Sequence, residues 1–174
     1  VVTMDFQELC RGRRSVRKFS VEPLDHEVID AILKIMASAP SAGNLQAYRV
    51  VAVLADAVRM RLADAAHGQQ FIYQAPLALV FLALPAVSGE KYSLRGEQLC
   101  ALQDATIACT YAMLAAHSLG LASVWVGSFE EASVAEIVGA KKGEVPVAIL
   151  PVGYAAESPA AAPRKTVDDL VRRK

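Results

Sequence analysis

The sequence lacks the residue patterns that usually mark a protein-borne catalytic group or a metal site. Its three histidines are scattered, and none has a metal-ligand spacing such as HExxH. The motifs GxGxxG, GxxxxGK[ST] and GxSxG are also missing. Their absence argues against a Rossmann dinucleotide site, a P-loop and an esterase nucleophile. If the chain is an enzyme, we therefore expect a bound cofactor to carry its chemistry.

Cysteines, aromatic residues and net charge are low as well. Three cysteines, an odd count without a spacing motif, predict reduced thiols and a cytoplasmic protein. Aromatic residues make up 6% of a chain that is 54% hydrophobic, so small and branched aliphatic side chains must fill the core. With 18 basic and 18 acidic residues the net charge is zero, which argues against a nucleic-acid partner.

Long hydrophobic runs are missing too. No apolar run reaches the length of a membrane span without a charged or turn residue, so no membrane partner is expected. The first residues, VVTMDFQELC, contain no basic segment followed by an apolar run, so we expect no signal peptide.

Apolar periodicity and turn residues predict the element order α-α-β-α-β-α-β-α-β, a mixed α+β arrangement in one domain over residues 1–174. Strands are expected over 48–55, 77–84, 121–127 and 145–153. Helices are expected from Asp5 to about Gly12, from Asp25 towards Pro40, and over 56–66, 96–120 and 130–138. Residues 85–95 are predicted to form a loop. The helix over 96–120 is apolar nearly all round, which favours burial by a second subunit.

The stretch RRSVRKF, residues 13–19, holds Arg13, Arg14, Arg17 and Lys18 around Ser15. A short basic cluster in a neutral chain fits a small anion better than a polyanion. The other interpretation is an ordinary solvated surface, which we favour for Lys18 and for the nearby Arg11.

Five motifs occur in one order along the chain: RRSVRKF, APSAGNLQAYRV (39–50), GQQFIYQAP (68–76), GLASVWVGSF (120–129) and EVPVAILPVGYAAESP (144–159). Their order and spacing resemble the nitroreductase family of FMN-dependent oxidoreductases, over nearly the whole chain. The short segment 85–103 is typical of a compact member without a large lid. Two departures from the family pattern are Ala47, where proline is common, and Tyr48, where tryptophan is common.

The resemblance implies a nitroreductase-like α+β fold, with a central mixed, mostly antiparallel sheet flanked by helices in an intertwined homodimer. It implies tightly bound FMN at the dimer interface, NAD(P)H as co-substrate and a small-molecule acceptor. The long apolar helix is expected in the interface, and the tail, about 155–174, is expected to cross to the partner subunit.

Site residues carry over by position, and no protein residue is expected to be catalytic, because flavin N5 carries the chemistry. Arg13 is expected on the FMN phosphate, and Arg17 beside the pyrimidine side of the ring. The other expected FMN contacts are Arg14, Ser15, Pro40, Ser41, Ala42, Asn44, Gln46, Gln69, Trp125, Val126, Gly127, Ser128, Arg164 and Lys165. Gln70, Gln103 and Asp104 are weaker candidates, the last two at the pocket mouth.

The implied activity is hydride transfer from NAD(P)H through flavin to a nitroaromatic, quinone or flavin acceptor, with ping-pong kinetics. Three alternatives stay open. The chain could be a specialised relative that dehalogenates or destroys flavin, a non-catalytic FMN carrier, or a helical dimer that binds an anionic partner.

Overall fold

The structure is a computed structural model, and it describes residues 5–174. Eight helices lie within those residues: α1 (Phe6–Gly12), α2 (His26–Met36), α3 (Asp56–Ala65), α4 (Phe71–Gln74), α5 (Pro85–Arg95), α6 (Ala101–Ser118), α7 (Glu131–Ile137) and α8 (Val167–Leu170). The strands are β1 (Tyr48–Val53), β2 (Leu77–Ala83), β3 (Ala122–Ser123) and β4 (Val145–Gly153). A 3₁₀ turn at Ala42–Asn44 precedes β1, and a π turn at Gly96–Cys100 leads into α6.

The strands form one sheet in the order β1-β2-β4-β3, and every neighbouring pair is antiparallel. Strand β2 lies in the middle and is buried along its whole length. Its side chains alternate between two cores: Leu77, Leu79 and Phe81 face α2 and α6, whereas Ala78, Val80 and Leu82 face α3 and α7. Because helices cover both faces of β2, its sequence is apolar throughout rather than alternating. The expected α+β class with a mostly antiparallel central sheet is confirmed.

Two expected boundaries are wrong, and each has a local cause. Residues 85–95 form helix α5 rather than a loop, because Pro85 occupies the first helical turn, where its fixed φ is favourable. The expected strand 121–127 pairs with the sheet only at Ala122 and Ser123 and then through an isolated bridge between Val126 and Ile149. By contrast, strand β4 spans the expected residues 145–153.

Helix α6 uses its small residues for the core. Its buried side consists mainly of alanines and Cys109, which let the helix pack closely on the sheet, and burial raises the pKa of the Cys109 thiol. Larger apolar residues on its other side, such as Leu102 and Tyr111, stay partly or largely exposed. The helical segment Pro85–Ser118 is long and apolar enough to span a membrane, a test that buried core helices also pass.

The π turn that leads into α6 packs against α5 at Gly96 with no room for a side chain. A Cβ at Gly96 would lie 2.2 Å from the backbone oxygen of Ser88. Gly96 has helical φ and ψ, so alanine would otherwise stabilise the helix by about 1 kcal/mol. We expect Gly96→Ala to destabilise the protein by about 2 kcal/mol, because backbone atoms cannot move aside easily.

Urea denaturation of Gly96→Ala and of the control Gln98→Ala measures this effect. Gln98 is exposed on the same π turn, so its replacement is expected to change the free energy of unfolding by less than about 0.5 kcal/mol. A Gly96→Ala variant as stable as the wild type would show that α5 and α6 are not packed as described.

Candidate functional site

The basic stretch after α1 is held in an extended conformation between two neighbours. The Val16 amide donates to the Ser123 carbonyl at 3.2 Å, which places Ser15 alongside β3. Further along, Phe19 bridges Ala155 just after β4. The side chains of Val16 and Phe19 are buried, so the cationic side chains between and before them are directed away from the core.

This arrangement gathers arginines from both ends of the chain around one cavity. Arg13, Arg14, Ser15, Arg17 and Arg164 line a cavity of about 450 Å³, closed on one side by Pro159–Ala162 of the tail. A second, inner cavity of about 240 Å³ adjoins it and shares Arg13, Arg14 and Pro159.

The guanidinium groups at these cavities are close enough to repel one another. The pKa of Arg13 is lowered, first by burial and then by the charges of Arg164 and Arg14. None of the ion pairs formed within residues 5–174 involves Arg13, Arg14, Arg17 or Arg164. Cations that are drawn together without a carboxylate partner are costly in the free protein. The cluster is therefore suited to an anionic ligand, and a phosphate group fits the guanidinium geometry.

Arg14 also has a structural task. Its Nη1 atom donates to the backbone oxygens of Arg11, Gly12 and Arg13, at 2.6, 3.1 and 3.0 Å. These contacts cap the C-terminus of α1, where carbonyl groups lack helical partners. Part of the Arg14 guanidinium is therefore used to shape the turn that presents Arg13.

Two further expected segments, 68–76 and 120–129, meet at Gln69. The Gln69 side-chain amide donates to the carbonyl oxygens of Ala66 and Ser128, at 2.8 and 3.1 Å. Gly127 and Ser128 are exposed, whereas Val126 is buried in the core and exchanges two backbone hydrogen bonds with Ile149. Both backbone polar groups of Val126 are thus already paired with Ile149, and its side chain lies in the core. Trp125 is partly buried and packs against the core between the sheet and helices α2 and α6, so it contributes to the packing of the fold.

The loop 40–46 lies apart from the arginine cavities and has a strained backbone. Gly43, Asn44 and Gln46 all have positive φ, at 57°, 57° and 50°. Such a conformation is unusual for Asn and more so for Gln, and it persists only where the surroundings fix it. Pro40, Asn44 and Gln46 are exposed, while Ser41 and Ala42 are half-buried. None of residues 40–46 lines either arginine cavity, and the expected FMN contacts of this loop stay a prediction.

The buried side chain of Asp104 holds the backbone of this loop in place. Its carboxylate, only 1% exposed, accepts hydrogen bonds from the amides of Ala42 at 2.9 Å and Ala47 at 3.3 Å. The expectation that Asp104 faces a pocket mouth is wrong, because the side chain points beneath the loop; Gln103 is exposed. Burial first, and then the charge of Asp104, raises the pKa of Tyr48.

Three residues play parts at the site that sequence reasoning did not assign. Asp104 holds the 40–46 loop instead of facing a pocket mouth. Glu157 accepts a hydrogen bond from the Arg17 amide at 2.5 Å. His117 lines the inner cavity beside Arg13 and Arg14. No motif signals these residues, because each acts through a partner distant in sequence. Lys165 is exposed and does not line either arginine cavity.

Comparison with known proteins agrees with this fold. The nitroreductase family model matches residues 10–84 and 66–154. The chain is 31% identical to the FMN reductase [NAD(P)H] of Bacillus subtilis, covering 87% of this chain and 66% of that protein. It is 30% identical to the oxygen-insensitive NADPH nitroreductase of Salmonella typhimurium, covering 94% of this chain and 71% of that one. The structure of B. megaterium NfrA2 superposes with a TM-score of 0.88, at 27% identity, over 97% of this chain and 73% of that chain. The chain belongs to the nitroreductase family.

Proposed function

We propose that the protein is an NAD(P)H-dependent flavin oxidoreductase that binds FMN and passes hydride to a small acceptor. The observation that carries the proposal is the convergence of Arg13, Arg14 and Arg164 on one cavity without carboxylate partners in the described residues. Relatives named as an FMN reductase and an NADPH nitroreductase support the enzyme class. The chain forms one nitroreductase-like domain over residues 1–174, acting in the cytoplasm.

The residues at the cavity fit FMN in size and charge. A cavity of about 450 Å³ flanked by guanidinium groups suits a terminal phosphate, and Arg17 of the extended stretch lines the same cavity. The exposed backbone at Gly127 offers close approach to a flat ring, since no side chain stands there. Bound FMN would supply a centre at N5 that accepts hydride from NAD(P)H and then donates it to a nitroaromatic, quinone or flavin.

The chain's own residues orient and tune rather than react. Arg13, Arg14 and Arg164 hold the phosphate end, and the Ser15 segment fixes its distance from the 125–128 segment through β3. Arg17 places a positive charge that favours an anionic reduced ring. The tail residues Pro159–Ala162 line one side of the cavity. This scheme requires no acid or base from the protein. The open pocket lets NAD(P)H and the acceptor bind in turn, as ping-pong kinetics requires.

The direct test is reconstitution with FMN followed by steady-state assay. We expect the protein to bind FMN, to quench its fluorescence, and to oxidise NADH or NADPH with a quinone or nitroaromatic acceptor. A protein that binds FMN but oxidises neither nicotinamide would be a flavin carrier. A protein that binds no FMN would favour the alternative of a helical dimer that binds an anionic partner.

The site is completed by a second copy of the chain. Phe6 and Ile35 are 71% and 42% exposed, and with Tyr111 and Leu114 they line a nearly apolar cavity of about 400 Å³ on the α6 side. Exposed apolar surface of this kind is usually covered by a partner. The tail beyond Pro159 is exposed throughout and carries Val167 and Leu170, which suits a segment that crosses to the partner.

A composite site predicts that FMN affinity depends on protein concentration. On dilution below the dimer dissociation constant, FMN is expected to be released, because the 40–46 loop contributes to the partner's site. Analytical ultracentrifugation, monitoring protein and flavin absorption separately, follows both species. Monomer sedimenting with stoichiometric FMN would contradict the shared site.

A further inference from the structure

His117 sits at the phosphate site with an unused ring nitrogen. It lies in the last turn of α6, lines the inner cavity of about 240 Å³, and contacts the end of α1. A Cβ built on Gly12 would lie 3.1 Å from Nε2 of His117, so the ring packs directly on the turn that presents Arg13. The Nε2 atom is buried and has no hydrogen-bond partner within the described residues. A buried polar atom without a partner is costly unless a ligand or water satisfies it.

The positive charges around the His117 ring are ones that a bound phosphate group would offset. Arg13 and Arg14 face it from the segment after α1, and Glu157 lines the same cavity from the segment after β4. The pKa of His117 is lowered, first by burial, with smaller contributions from Arg13 and Arg14; a backbone hydrogen bond with Leu121 opposes these effects. Burial and the two arginines thus disfavour the imidazolium form in the ligand-free protein. A phosphate dianion beside the two arginines would offset their repulsion and favour the imidazolium.

We propose that His117 is an additional cation of the phosphate site, protonated when a phosphate-bearing ligand binds beside Arg13 and Arg14. The proposal rests on FMN binding as proposed above and extends it to a residue outside the RRSVRKF motif. Binding then takes up a proton at His117. Because the bound state has the higher pKa, this contribution to affinity is present at low pH and is lost as the pH rises through the bound-state value.

The protein's three histidines allow a direct measurement by NMR. The pKa of each imidazole is followed in the free protein, with FMN, and with riboflavin, which lacks the phosphate. His26 and His67 are exposed and serve as internal controls, and His26→Gln and His67→Gln assign the signals. We expect FMN to raise the pKa of His117 by about one unit or more, and riboflavin to leave it unchanged. An FMN-loaded protein in which His117 does not shift, or an equal shift with riboflavin, would overturn the proposal.

Binding affinity gives an independent readout. His117→Gln keeps a polar group near Nε2 but cannot titrate. The ratio of wild-type to variant FMN affinity is expected to rise by about tenfold as the pH falls through the His117 titration. The phosphate's own protonation near pH 6 occurs with both proteins, so it cancels in this ratio. A ratio independent of pH would contradict the proposal while FMN binding itself stands. Failure of the wild type to bind FMN would instead remove the proposed function and this inference together.

Discussion

Arg13→Ala is expected to weaken FMN binding by about 10- to 150-fold, which corresponds to about 1.5–3 kcal/mol for hydrogen bonds to a charged group. The loss arises because the phosphate would face a cavity from which its half-buried guanidinium partner is missing. Riboflavin affinity is expected to stay within a factor of about two, since riboflavin has no phosphate. Fluorescence quenching titrations with both flavins measure the difference.

The same variant is expected to leave the free protein at least as stable as the wild type. Burial first, and then the charges of Arg164 and Arg14, lower the pKa of Arg13, so its removal relieves both the cost of burying a cation and the repulsion. The backbone hydrogen bond from the Arg13 amide to Leu9 does not depend on the side chain. Lys18→Ala is the matched control, because Lys18 is exposed and belongs to the same basic stretch. An unchanged FMN titration for Arg13→Ala, or an equal loss for Lys18→Ala, would contradict the assignment.

Asp104→Ala is expected to destabilise the protein by about 2–3 kcal/mol, because it leaves the amides of Ala42 and Ala47 without their acceptor. Ala47 is fully buried, so water cannot replace the carboxylate there. The effect is measured by urea denaturation at fixed protein concentration. Asp104→Asn is expected to lose less, since its one amide oxygen can still accept from one of the two amides.

Asp104→Ala is also expected to weaken FMN binding, because it alters the 40–46 loop and not because Asp104 contacts FMN. The positive φ angles at Asn44 and Gln46 are not intrinsically favoured, so the loop relaxes when its anchor is lost. Gln103→Ala serves as the control, because Gln103 is the exposed neighbour on the same helix. If Asp104→Ala unfolds at the same urea concentration as Gln103→Ala, the carboxylate does not hold the loop.

The sequence predicted the features that depend on local pattern. The position of β2, the start of α2 after Asp25, and the extent of β4 follow from apolar runs, apolar periodicity and turn residues. The resemblance assigned Arg13 and Arg164 to FMN contacts, and the structure brings both residues to one cavity. Their binding to FMN stays a prediction.

The features that the sequence did not predict depend on long-range packing. Helix α5 was missed because Gly89 and its serines are typical of loops, although Pro85 favours a helix start. The burial of Asp104 follows from the loop folding over α6, and the position of His117 from α1 packing against α6. A single sequence contains no local signal for contacts between segments so far apart in the chain.

The most direct test of the central claim is an anaerobic half-reaction. The FMN-loaded protein is mixed with excess NADH or NADPH in the absence of acceptor, and the visible flavin absorption is followed by stopped flow. The proposed function predicts that the absorption bleaches in a single turnover with at least one nicotinamide and returns when a quinone is added. Absorption that stays unchanged with both nicotinamides would contradict hydride transfer, even if FMN is firmly bound.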